Sequence, residues 1–325
     1  MLGELIAIFA VLTFVGSNVI FRKTEHEVSP TFINFFRTGI GTLTFIFIAL
    51  ILNQLNLVLI IPWELWLILI ISFIFGQVIG DTAYFSAQKE LGTTIALAIS
   101  MTFPLFTFML SLIFLNRPFK LNLVFSLILI SIGITTIGKS KINSENSKLE
   151  RNSVLKRSIK FRIQEIFNKD IIKAIGFCIT ASLGWAIGAV IIEFATIQID
   201  QIIHTKELSS IIGNVIRFPF AFLILGSMVL RENHLMKRKE NPPSQKKSLR
   251  SLIILLIASI IGTSLGAYLY TESVHIAGAN VVSLIASASP LFALPLTYFV
   301  NKEKISKFGV VGVVLTIFGV VIILI

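Results

Sequence analysis

Cysteine is nearly absent: among 325 residues there is one, Cys178. An intrachain disulfide is therefore excluded, and so is a cysteine-based zinc site. Charge is also scarce, at 14% of residues, and acids are the smaller share, with 17 Asp and Glu against 28 Lys and Arg. So little charge cannot coat a soluble domain of this size, since 55% of residues are hydrophobic and mean hydropathy is +0.88. The four histidines, His26, His204, His234 and His275, fall in separate segments. No metal-spaced cluster, Ser-His-Asp set or His-Glu-x-x-His stretch appears, so nothing points to an enzyme, a metal or another cofactor.

Long apolar runs are what the chain has instead. A helix crosses the hydrocarbon core with about 20 mostly apolar residues. Ten such runs are present, near 2–21, 31–52, 64–88, 92–115, 120–138, 171–197, 208–230, 251–274, 279–300 and 306–325. They are continuous rather than short and alternating, which argues against a β-barrel and predicts an all-α integral membrane protein of ten transmembrane helices. The first run, beginning "MLGEL", lacks a basic leader and is expected to stay as a span.

The runs are written twice. "GTTIALAISMTFPLF" from Gly92 and "GANVVSLIASASPLF" from Gly278 stand 186 positions apart. At that offset, with no gap, 76–138 lies over 262–324: Gly76 meets Gly262, Gly80 meets Gly266, Tyr84 meets Tyr270, Pro104 meets Pro290 and Gly133 meets Gly319. Upstream, "NFFR" at Asn34 to Arg37 echoes "NVIR" at Asn214 to Arg217 at an offset of 180. Five spans per copy is an odd number, so the second copy enters from the opposite side. That is an inverted five-plus-five repeat, a design that exposes a midplane site to each side in turn. The expected domains are residues 1–138, a basic linker 139–170, and residues 171–325.

Ten spans in two halves, each closing with Gly, an apolar run, Pro, a short polar turn such as "NKEK" at Asn301 to Lys304 and a last Gly-bearing helix, resembles the EamA-type branch of the drug/metabolite transporter superfamily. The resemblance implies a ten-helix basket with a cavity lined by the first, third and fourth helices of each half. It also implies a secondary transporter of a small organic metabolite, importing or exporting it by alternating access without ATP. Two positions depart from the pattern. The Glu of the turn is Glu303 in one half but Arg117 in the other, and the first span lacks the acidic residue of the small multidrug resistance relatives. The alternative is a membrane scaffold or subunit that binds partners or anionic lipid through its basic loops.

Sidedness follows from charge. The odd connections hold Arg22, Lys23, Lys89, the basic runs Lys139 to Lys173 and Arg231 to Arg250, and Lys302, Lys304 and Lys307; the even ones hold Arg117, Lys120 and Lys206. The odd connections should be cytoplasmic and both termini extracytoplasmic, in an inner (plasma) membrane of prokaryotic type. The resemblance implies the reverse, with both termini in the cytosol. Leu155, Ile159, Ile163 and Ile166 recur at helical spacing among basic residues, so 151–169 reads either as an amphipathic helix on anionic lipid or as a solvated linker. No nucleic acid is implied, and a monomer or homodimer is expected. "GITTIGKS" at Gly133 to Ser140 fits a phosphate-loop pattern but lacks the strand before it, so ATP binding is set aside.

Ionisable groups within spans are functional suspects because they are expensive there. Gln77, Asp81 and Tyr84 fall at i, i+4 and i+7 of the third span. Asp81 is read either as a substrate or coupling carboxylate or as a structural partner of Arg37. Arg37 and Arg217, at matching places, read either as structural charges that snorkel or bond carbonyls or as binders of a substrate anion, the symmetric placement favouring the first. Glu193 and Glu272 read as interfacial. Asn280, Ser283 and Ser287 form a polar stripe in the ninth span, and Trp185 and Tyr270 offer rings to a substrate. Asn18 completes the candidate substrate-binding set, while Pro104 and Pro290 are candidate hinges or kinks.

Overall fold

The computed structural model describes residues 1–115, 169–204, 208–237 and 248–301, with short stretches between 121 and 136 and between 308 and 322. Helix α1, Leu2–Phe21, passes through a tight turn, Arg22–Thr24, into α2, Pro30–Ile51. Ser29 starts α2 by accepting the N–H of Phe32, and Pro30 comes next, where no donor is needed. After a six-residue helix, α3 (Leu55–Ile60), comes the long α4, Trp63–Leu91, whose middle, Ile74–Asp81, is wound as a π-helix. Helices α5, Thr93–Ser100, and α6, Phe103–Phe114, come after it.

Beyond them run α7, Lys169–Ile203, and α8, Ser209–Lys237. Helix α9, Leu249–Ala277, is capped by Ser248 and contains its own π-helical turn, Ile260–Leu265. Helices α10, Ala279–Ala286, and α11, Ser289–Asn301, come next. All regular structure among the described residues is helical, and seven runs there are long and apolar enough to cross a membrane.

The difference from ten has two sources. The expected fourth span is split at Met101–Thr102 into α5 and α6, the fifth is described only in broken stretches too short to count as a crossing, and the tenth lies largely outside the described residues. So do Arg117, Lys120, Lys206, Glu303, the linker 139–168 with its expected lipid-binding helix, and the second basic loop after Lys237. Pro104 and Pro290 do not kink continuous helices. Each stands in the first turn of a new one, where its missing N–H costs nothing.

The offset of 186 carries over to these elements: α4 and α9 coincide end to end, as do α5 and α10, and both long helices carry π-turns. Gly92 and Gly278 join each pair at φ +80° and +85°, a backbone that side chains resist. Glycine also allows close crossings. A Cβ on Gly184 would stand 2.5 Å from the carbonyl oxygen of Phe75, and one on Gly188 would stand 3.2 Å from the Cα of Gly76. In the matching crossing of α1 over α9, Gly262 abuts Ser17 and Gly266 abuts Thr13. On α2 and α8, Phe35 stacks on Phe222 at 4.8 Å.

Side-chain contacts sort the connections to two ends. At one end Arg22 reaches Thr93 beside Gly92, Gln88 bonds Glu25, Ser248 donates to Glu27 and Ser29 donates to Glu232. At the other, His275 meets Asp200 at 2.9 Å and Gly3 lies against Ala277. Helix α4 thus ends where α9 begins. The outer surface is apolar, with Phe9, Phe47, Leu59, Leu223 and Phe299 each at least 60% exposed. Asn34, Arg37, Gln77, Asp81 and Arg217 are buried inside, the reverse of a soluble protein.

Candidate functional site

A cavity of about 150 Å³ opens where α1, α2, α4, α7, α8 and α9 converge. Its polar wall holds Arg37, Gln77, Asp81, Arg217, Thr263 and Tyr270, and its apolar wall includes Val11, Phe14, Phe73, Met101, Phe103 and Trp185. The two π-turns carry Gly76, Gln77 and Asp81 to one side and Gly262 and Thr263 to the other. Such single insertions into helices recur at functional sites because they re-aim side chains.

Around Arg37 the polar groups close on one another. Its guanidinium donates to Asn34 Oδ1 at 3.1 Å, to Gln77 Oε1 at 3.0 Å and to the Asp81 carboxylate, with which it forms a buried ion pair. The other Asp81 oxygen accepts the indole N–H of Trp185 at 2.8 Å. Gln77 donates to Thr38 at 2.8 Å, and Asn34 donates to the Gln77 carbonyl at 2.7 Å and to Thr82 at 2.9 Å. The Phe85 ring lies 5.2 Å from the Arg37 guanidinium carbon. Of the two readings of Asp81, this geometry realises the pairing with Arg37.

Around Arg217 the closure is incomplete. The side chain donates to Asn214 Oδ1 at 2.9 and 2.6 Å and to Thr271 at 2.7 Å, and its cation stands 4.5 Å over Phe73. Among the described residues its Nη1 has no hydrogen-bond partner, and neither has Thr263 Oγ1. Snorkelling is thereby corrected for both arginines: each is buried, because a polar partner set inside the bundle replaces the distant interface.

Of the candidate residues, Gln77, Asp81, Trp185 and Tyr270 reach the cavity together with Arg37 and Arg217. Tyr84 does not. The i, i+4, i+7 spacing presumes an α-helix, but α4 winds as a π-helix as far as Asp81, whereas the matching turn of α9 ends at Leu265, two positions before the counterpart of Asp81; Tyr84 is buried against Trp185 and Phe85, while its counterpart Tyr270 lines the cavity. Asn18 bonds the Phe14 carbonyl at 2.9 Å. In the ninth-span stripe, Ser283 and Ser287 donate to the carbonyls of Asn280 and Leu284 in their own helix, and Asn280 is half-buried away from the cavity lining. Pro104 and Pro290 also stand off the cavity lining.

Glu193 is not interfacial: α7 continues to Ile203, and the carboxylate, 1% exposed, accepts the Ala279 N–H at 2.7 Å, capping α10. Thr263, Ala267, Phe14 and Phe73 were not among the candidates. For the first two a signal existed, since the 186 offset maps Gln77 to Thr263 and Asp81 to Ala267.

Comparison with known proteins bears on this arrangement. A family model described as "EamA-like transporter family" matches residues 1–138 and 172–325. An "Uncharacterized transporter" of Archaeoglobus fulgidus is 24% identical over 326 residues, covering 100% of this chain and 98% of that protein. A solved structure described as "Crystal structure of protein" superposes with a TM-score of 0.70 at 14% identity, over 98% of this chain and 95% of the other, which shows a shared fold.

Proposed function

The chain belongs to the EamA-like transporter family, within the drug/metabolite transporter superfamily, and from that premise we propose that it is a secondary transporter of a small organic metabolite. In this reading two inverted halves, 1–138 and 171–325, rock about the cavity and open it alternately to each side. The observation that carries the reading is the cavity itself, where polar groups from both halves converge inside an otherwise apolar bundle. Support for inversion comes from the matched helices α4 and α9, of which one ends at the cluster where the other begins. Because that cluster includes Arg22 and adjoins Lys23, Lys89, Arg231 and Arg250, we place it in the cytoplasm and both termini outside.

The test is exchange in proteoliposomes. Vesicles holding the purified chain and an isotopically labelled metabolite extract should release particular solutes to an unlabelled bath, as read by mass spectrometry. Ala189→Trp, which fills the cavity wall, should abolish that release while the protein still elutes as a folded species. Equal release from protein-free vesicles, or from the Ala189→Trp protein, would overturn the proposal.

A further inference from the structure

Around the two arginines the repeat keeps the Asn and the Arg and a polar residue at the third place, but it loses the acid. Asn34 and Arg37 correspond to Asn214 and Arg217, and Gln77 to Thr263, but Asp81 corresponds to Ala267. In the first half the guanidinium meets an aspartate. In the second the same guanidinium faces a cavity wall on which Ala267 stands where the acid would be. Arg217 is 2% exposed, its Nη1 lacks a partner among the described residues, and Thr263 Oγ1 beside the same cavity also lacks one. No carboxylate among the described residues lies within ion-pair distance of Arg217. A buried cation with an open donor is an unfavourable arrangement that an anion relieves.

We propose that this site binds the carboxylate of a small organic anion, which takes at Arg217 and Thr263 the place that Asp81 holds at Arg37. The substrate class is a monocarboxylate with an apolar body. Asp81 is the only acid on the described cavity wall, and Arg37 and Trp185 hold both its oxygens, so no carboxylate on that described wall is open to an ammonium. Phe14, Phe73 and Phe103 supply the apolar surface for the rest of the molecule. The proposal names a substrate for the transport reading and rests on it, but binding can be read apart from movement.

The experiment uses the full chain in detergent and measures Tm against benzoate, benzamide, benzylamine, sodium chloride and inorganic phosphate. Benzoate should raise Tm in a saturable way, and the others should not. Arg217→Gln should weaken benzoate binding about ten- to a hundredfold, the range for a hydrogen bond to a charged group. Ala267→Asp supplies the missing acid from within, so its ligand-free Tm should equal or exceed that of the parent and its response to benzoate should vanish. An equal shift from benzamide, chloride or phosphate overturns the proposal, and so does an Ala267→Asp protein that is destabilised or still binds benzoate. Counterflow of labelled benzoate at pH 8, against protein-free vesicles, then separates the two claims. Binding without exchange overturns transport and leaves the site standing; exchange of neutral or cationic solutes without benzoate binding does the opposite.

Discussion

In Asp81→Asn the amide keeps the shape of the carboxylate and loses its charge, leaving Arg37 ionised in a buried place with only neutral partners. Removing one member of a buried ion pair costs about 3–5 kcal/mol. The new side chain can still accept the Trp185 N–H, which the aspartate holds at 2.8 Å, and that bond returns about 1 kcal/mol. The expected net loss is about 2–4 kcal/mol, a fall in Tm of about 3–6 °C for a chain of 325 residues. Thermal unfolding in detergent measures it, read by loss of the monodisperse chromatographic peak. Arg37→Gln should lose a similar amount, and the double variant should recover part of it, with a coupling of about 1–3 kcal/mol between the two sites. An Asp81→Asn protein that melts with the parent, or a double variant that melts at the sum of the two losses, would refute the ion-pair argument. Loss of exchange at unchanged Tm would instead make Asp81 a substrate or coupling residue.

Close packing at the α4–α7 crossing predicts that Gly184→Ala loses about 2 kcal/mol or more, since its Cβ would strike backbone. Gly176→Ala, with nothing within 4 Å of the new atom, should gain about 0.5–1 kcal/mol, and a reversed order of melting would count against the packing account. Burial pushes the Glu25 carboxyl above its usual range, and Gln88, Arg22, His26 and Lys89 offset this only in part. A raised acid contributes stability at low pH that is lost as pH rises through its folded-state value, so Glu25→Gln should out-melt the parent near neutrality and converge with it toward about pH 4. A difference that stays constant with pH would contradict this. Cysteines placed at the two chain ends and near Lys156, in a Cys178→Ser background, should react with an impermeant label from outside at the ends and only after permeabilisation near Lys156. The opposite pattern would reverse the orientation.

Much of this architecture is legible because lipid imposes it locally. Each span must satisfy its own backbone bonds, so apolar length announces the helix before any contact forms, and α2, α4 and α9 lie within a few residues of the expected runs. The repeated glycines were visible as a pattern, and Gly76, Gly80, Gly262 and Gly266 prove to be the points where α7 and α1 cross. Misreadings arose where winding or distance intervened. Tyr84 follows a π-turn that runs on to Asp81 and is packed away from the cavity, while its counterpart Tyr270, after a shorter π-turn, lines it, and the shared spacing of the two copies does not show that difference. Glu193 looked interfacial by its distance from a span end, yet its partner is the N-terminus of a helix 86 positions away.

Sequence alone determined that the chain is a helical membrane protein written twice, and that two arginines stand at matching places in the copies. Those facts depend on apolar length and on residue identity at a fixed offset. Only the tertiary structure decided which buried charge is answered and which is open. Arg37 meets Asp81 across 44 positions, and Trp185 joins them from the other half. Arg217, in the matching place, finds Asn214 and Thr271 but no acid among the described residues. Charge in low dielectric is settled by which atoms lie within a few ångströms, and that distance is created when distant helices pack.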